Sequence, residues 1–352
     1  MDLAWNRRLA AGWRGSRGVW RALWGEWERA AEELAAAANM QPRDGLYWLM
    51  LGDAQRRLAR FGEAEASYRR ALEARPDWPR AQAAMGKLLL SADRPQEAAS
   101  WLTRALASQP RVPGWWWDLG LAQAESGHPD EALLCLERAA DLGERSESLW
   151  LQRAVLLARL GRYRDAASGL KGGLLHRPQD PSLLNNLGAC LAGQGRLEDA
   201  LPYYLRAVAL EPGDAELLLN LASCLQRLDR HAEALDYLDR AANAGADEVR
   251  LACLQAAGLS ALREPGKALA ALHRALQRHA GHPLLLQAKA EALLAANQPL
   301  RAAAFYRYLQ RRWPDEPAYL WGAGRCLEAL GRGEEAVDAY NQAIDKEARS
   351  TA

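Results

Sequence analysis

Residues 45–78 read GLYWLMLGDAQRRLARFGEAEASYRRALEARPDW. Within them stand Trp48, Leu51 and Gly52 in W-x2-L-G spacing, then Ala64, Tyr68, Ala71 and Pro76. Stepping by 34 residues returns the pattern without insertion or deletion. The frames are 45–78, 79–112, 113–146, 147–180, 181–214, 215–248, 249–282, 283–316 and 317–350, with residues 1–44 as an upstream arm. The eighth position is Gly or Ala in every frame, and the twentieth is Ala in every frame, from Ala64 to Ala336. The twenty-fourth is a large knob: Tyr68, Leu102, Leu136, Leu170, Tyr204, Leu238, Leu272, Tyr306 and Tyr340. Small residues let two helices approach and large ones fill the space between, so this alternation predicts packed helix pairs. Self-similarity at such a period means stacked units rather than one central core.

Turn chemistry agrees. Asp93, Gly127, Gly161, Gly195, Asp229, Asn297 and Gly331 stand between the two helices of their frames. These residue types tolerate the left-handed backbone of a helix end. Ala59 and Arg263 replace them in two frames. Pro95, Pro129, Pro265 and Pro299 fall where a second helix starts, a position proline suits. Pro76, Pro110, Pro178, Pro212 and Pro314 close their frames, and the frames starting at 113, 215 and 249 lack a closing proline. One further frame fits upstream, over 11–44. Ala30, Leu34, Ala37 and Pro42 match its second half, while Arg14 and Arg17 occupy the Trp and Leu slots of its first. A helix from about Val19 to Asn39 is expected there, after an irregular or helical arm.

The repeated unit resembles the tetratricopeptide repeat, departing from it at Gln55, where the family usually has Tyr. The resemblance implies an all-α fold, a right-handed α-α superhelix (a solenoid) whose first helices line a concave groove. It implies a scaffold or adaptor that binds an extended polypeptide or partner protein there, with no catalytic residues and no cofactor. The fifth position carries no basic residue, so the carboxylate clamp of the chaperone-binding subfamily is not expected. The sixth carries Asp118, Gln152, Asn186 and Asn220 in four successive frames. This row resembles the asparagine ladder in the repeat region of O-linked N-acetylglucosamine transferase. An Asn side chain offers one acceptor and two donors, enough for both polar groups of a peptide backbone. Asn185, Ser223 and Gln226 are neighbouring candidates, and Trp117 is a candidate aromatic anchor. The plainer reading is that these polar residues keep an exposed groove wet.

Composition narrows the partners. The 352 residues are 49% hydrophobic and 25% charged, ample for a large buried core. Lys+Arg is 45 against 44 for Asp+Glu, so no global field favours nucleic acid, and protein or peptide is the expected partner. Arg far outnumbers Lys and Ala is abundant, as in a GC-rich bacterial genome. No apolar run of about 18 residues is present to span a membrane. The first residues hold no apolar stretch of secretory-signal length, which makes the cytoplasm the expected location. Cys190, Cys224 and Cys326 share the tenth position and read as small buried thiols. His279 and His282 lack a third ligand at metal spacing, so no metal is expected.

Of 14 Trp, Trp48, Trp116 and Trp150 hold the fourth position of their frames and read as structural. Trp117 and Trp321 hold the fifth, either as ligand anchors or as packing. The arm holds Trp5, Trp13, Trp20, Trp24 and Trp27 among an excess of Arg, and Trp20, Trp24 and Trp27 have the spacing of one helical face. Three roles stay open for residues 1–28: a cap on the first repeat, a docking arm for a partner or second copy, and a membrane-surface anchor that would make the chain peripheral.

Overall fold

The computed structural model describes residues 3–144 and 146–351, with side chains described over 8–349 apart from residue 145. Among the described residues it holds twenty helices and no strand. The arm folds as α1 (Leu3–Leu23) and α2 (Trp27–Met40). Helix pairs follow: α3 (Gly45–Arg57) and α4 (Phe61–Ala74), α5 (Pro79–Ser91) and α6 (Pro95–Ser108), α7 (Pro113–Glu125) and α8 (Pro129–Asp141), then α9 (Glu147–Arg159). These belong to one compact unit, Met1–Arg162. The second unit, Tyr163–Ala352, begins with α10 (Tyr163–His176). It continues with α11 (Pro181–Gly193) and α12 (Leu197–Leu210), α13 (Ala215–Arg227) and α14 (His231–Asn243), α15 (Glu248–Ala261) and α16 (Pro265–Arg278). Its last pairs are α17 (Pro283–Ala295) and α18 (Pro299–Arg312), α19 (Pro317–Ala329) and α20 (Gly333–Thr351). Within each unit every helix packs on the next, and first helices also pack on first helices, α3 on α5 on α7 and α11 on α13 on α15 on α17. That nearest-neighbour pattern is the all-α repeat class expected from the sequence.

The small-against-large pattern becomes a set of sockets. A Cβ on Gly52 would lie 2.5 Å from the Tyr68 ring, on Gly86 2.6 Å from Leu102, and on Gly120 2.8 Å from Leu136. Each eighth-position glycine therefore receives the knob of its own repeat. Ala290 holds that position in the repeat of Tyr306, and there the ring lies over Gly322 of the next repeat, where a Cβ would collide with it. The alanines of the twentieth position are all buried.

All nine turns inside the repeats place their central residue at positive φ, Ala59 (56°) and Arg263 (62°) included. The frames without a closing proline turn on Gly143 (φ 103°), Gly245 (78°) and Gly281 (75°) instead. Where proline closes a frame, its carbonyl accepts from a later side chain. Trp48 Nε1 donates to Pro42 at 3.0 Å, Gln82 Nε2 to Pro76 at 3.0 Å, Trp116 Nε1 to Pro110 at 2.8 Å and Arg206 to Pro178 at 3.0 Å. Asp44, Asp180, Asp214 and Asp247 cap first helices by accepting from backbone N–H groups of the first turn.

The arm corrects one expectation. No continuous helix runs from Val19 to Asn39: α1 ends at Leu23, Gly25 (φ 78°) turns the chain, and α2 starts at Trp27. Gly25 is the fifteenth residue of the 11–44 frame, the turn position of every other repeat. Gly18 is the eighth, and a Cβ there would lie 2.7 Å from Leu34. The arm thus follows the repeat geometry. Arg14 and Arg17, in place of the Trp and Leu of the pattern, both face Glu33 of α2, at 3.7 and 3.2 Å.

Candidate binding grooves

In the first unit, α3, α5 and α7 wall an open groove of about 440 Å³. Trp115 and Trp117 form one side, and Arg56, Arg80 and Lys87 supply cations. Asp118 lies in it with only 8% of its surface exposed. Burial raises its pKa, opposed by the charges of Lys87 and Arg56. Among the described residues no hydrogen bond or ion pair holds this carboxylate. The Nε of Arg56 is likewise buried without a partner. A guanidinium N–H buried without a partner is costly, and the Asp118 carboxylate beside it, lining the open groove, has no protein partner among the described residues either. A second cavity of about 330 Å³ shares Asp53, Arg56 and Arg80 with this groove and reaches Trp27 and Leu23 of the arm.

In the second unit, α13, α15 and α17 line a cavity of about 340 Å³ that includes Ser223, Arg250, Cys253, Gln287 and Glu291. Asn220 donates to Asn185 Oδ1 at 3.0 Å and accepts from Arg250 at 3.1 Å. Arg250 also bonds Glu216 at 2.5 Å. Asn185, Asn220 and Arg250 are therefore one network across three repeats. The thiol of Cys253 is pushed up to about 11, first by burial, so it stays protonated and weakly nucleophilic.

The sixth-position row is uneven in its partners. Asn186 donates to the Ser182 carbonyl of its own helix at 2.8 Å, and Gln152 is exposed on α9. Asp118 and Gln152 lie in the first unit, Asn186 and Asn220 in the second. Gln226 ties α13 to α15 through the Leu254 carbonyl at 2.7 Å. Trp117 borders the first-unit groove, whereas Trp321 packs on Tyr340 at 5.2 Å and bonds Glu347 at 2.9 Å. Arg250, Arg56 and Lys87 were absent from the sequence-based candidates. They hold the second, twelfth and ninth positions, so reading the whole groove face for charge would have found them.

Trp20, Trp24 and Trp27 do not share a helical face, because the Gly25 turn separates the last from the others. Trp20 and Trp24 stack at 6.0 Å and are 64% and 74% exposed. Trp27 is half-buried at the start of α2 with the Arg57 guanidinium 5.5 Å from its ring centre. The side chain of Trp5 falls outside the described residues. His279 lies 3.2 Å from Glu248, and no group of three metal-ligating side chains occurs among the described residues.

A family model described as Cilia and flagella-associated protein 70 C-terminal domain matches residues 19–258, and one described as Tetratricopeptide repeat matches residues 287–351. No curated protein matches the sequence. Among solved structures, the APC/C hetero-tetramer Cut9-Hcn1 aligns with a TM-score of 0.53 at 18% identity, over 76% of this chain and 52% of that one. YrrB, described as a TPR protein with an unusual peptide-binding site, aligns with a TM-score of 0.45 at 21% identity over 52% of this chain and 95% of its own. MamA from Desulfovibrio magneticus RS-1 gives 0.46 at 21% identity, over 49% and 97%. At 18% identity the likeness to Cut9-Hcn1 is one of fold. The repeat pattern, the socketed helix pairs and a family match over well more than half of the sequence converge: this is a tetratricopeptide-repeat protein, and it belongs to the family of the Cilia and flagella-associated protein 70 C-terminal domain.

Proposed function

We propose that the chain is a non-enzymatic adaptor that binds an extended polypeptide along the inner helices of its repeats. The observation that carries this reading is the pair in the first-unit groove beside Trp117: the Asp118 carboxylate, which has no protein partner among the described residues, and the Arg56 Nε, which is buried without one. A peptide backbone brings an N–H for the carboxylate and a carbonyl for the guanidinium, and a side chain for the indole. The Asn185–Asn220–Arg250 network offers a second stretch of polar wall in the other unit.

The test is selection of a random peptide display library on the immobilised chain, followed by calorimetry of the enriched peptides. Each groove hydrogen bond contributes only about 0.5–1.5 kcal/mol net. Asp118→Asn combined with Arg56→Gln is therefore expected to weaken binding by roughly tenfold or more while leaving helicity intact. Failure to enrich any peptide, or undiminished affinity in that double variant, removes this reading. A second reading is favoured by the exposed Trp face of α1: the arm recruits the chain to another body, and the grooves are secondary.

A further inference from the structure

Helix α1 has two apolar faces, and among the described residues only one has a partner. Ala11, Gly15 and Gly18 are buried, with Tyr47 of α3 over Gly15 and Leu34 of α2 over Gly18. On the opposite side Leu9, Trp13 and Trp20 follow helical spacing, continued by Trp24 in the turn. Trp13, Trp20 and Trp24 are 74%, 64% and 74% exposed. Single exposed apolar side chains are ordinary on a protein surface, whereas a contiguous tryptophan stripe marks a contact.

Position within the repeat sets Trp20 apart. Trp20 holds the tenth position of its frame. In later repeats that position backs onto the preceding one: Cys224 Sγ lies 3.7 Å from the Leu197 carbonyl, and a Cβ on Gly258 would meet Leu235 at 3.4 Å. The nine later residues there are Ala, Cys, Gly or Leu. Trp20 is larger than any residue that stacks at this position in the later repeats.

Charge separates the possible occupants. Helix α1 contains Arg7, Arg8, Arg14, Arg17 and Arg21 and no Asp or Glu. Glu33 of α2 answers Arg14 and Arg17. Two copies of α1 laid together would oppose like charges without an acid on either helix. An anionic bilayer surface meets both features at once. Indole rings settle at the headgroup level, and arginines beside them engage lipid phosphates. We infer that α1 docks the chain onto an anionic membrane surface, lying in its plane with Trp13, Trp20 and Trp24 among the headgroups and Arg8 and Arg21 on phosphates. This deepens the second reading above and is independent of the grooves. No helix among the described residues is long and apolar enough to cross a membrane, so this contact is peripheral.

The experiment is co-sedimentation of the whole chain with phosphatidylcholine vesicles and with phosphatidylcholine–phosphatidylglycerol vesicles, at low and high salt. Binding to the anionic vesicles alone is expected, weakened by salt, with tryptophan emission moving to shorter wavelength. Trp13→Ser/Trp20→Ser/Trp24→Ser is expected to abolish it with an unchanged melting curve. Arg8→Gln/Arg21→Gln should lower affinity by roughly tenfold or more. Three results overturn the inference: no binding to anionic vesicles, equal binding to both vesicle types, or full binding by the triple Trp variant. Sedimentation velocity supplies a fourth, a wild-type dimer that the triple variant dissolves, which would assign the face to a second copy.

Discussion

Ala59 and Arg263 hold the left-handed turn position that Gly, Asp or Asn occupies in the other seven frames, at φ of 56° and 62°. An L-residue with a Cβ is strained there by about 1–2 kcal/mol, and glycine is not. Replacement by glycine also loosens the unfolded chain, which costs about 0.4–1 kcal/mol. Both side chains are exposed, so no packing is lost on removing them. The balance leaves Ala59→Gly and Arg263→Gly each more stable by about 0.5–1 kcal/mol. The two sites lie in different compact units, so the double variant should gain nearly the sum. Urea titration followed by circular dichroism measures this as a raised midpoint at unchanged slope. Gly195→Ala, which makes the reverse change at the same position (φ 78°), should lower the midpoint. If both glycine variants fall or stay level while Gly195→Ala is silent, the turn position is not strained and the reasoning fails.

Other consequences follow from burial. The pKa of Asp118 is raised in the folded state, so its contribution to stability is fully present below the ordinary value of 3.8 and is lost as pH rises through the raised one. Asp118→Asn should therefore melt higher than wild type at neutral pH, and the difference should vanish on acidification below 3.8; an equal gap at both pH values would contradict the burial argument. Ala200 is fully buried where α12 meets its neighbours, so Ala200→Leu should cost roughly 1–3 kcal/mol by overpacking, read as a lowered denaturation midpoint.

The arm shows where sequence reading stops short. Its alanines and Pro42 match the template, and they led to a helix running through Gly25. The same register places Gly18 and Gly25 at the socket and turn positions, and the backbone uses both. Arg14 and Arg17 obscured the match because they replace the Trp and Leu of those two slots and reach Glu33 of α2 instead. The junctions without proline are similar: Gly143, Gly245 and Gly281 reverse the chain by positive φ, a different chemistry for the same bend.

The sequence by itself determined the helix pairs, their turns and their sockets. A strict 34-residue period forces the same backbone environment on the same position, so one repeat interprets the others. Tertiary structure alone decided which polar side chains are free. Asn186 turns back to Ser182 of its own helix, Gln226 crosses to Leu254, Asn220 joins Asn185 and Arg250, and Asp118 is buried without a bond. The reason is physical: backbone conformation depends on local residues that recur with the period. A side chain's partner instead depends on the length and charge of whatever the neighbouring repeat presents, and those do not recur.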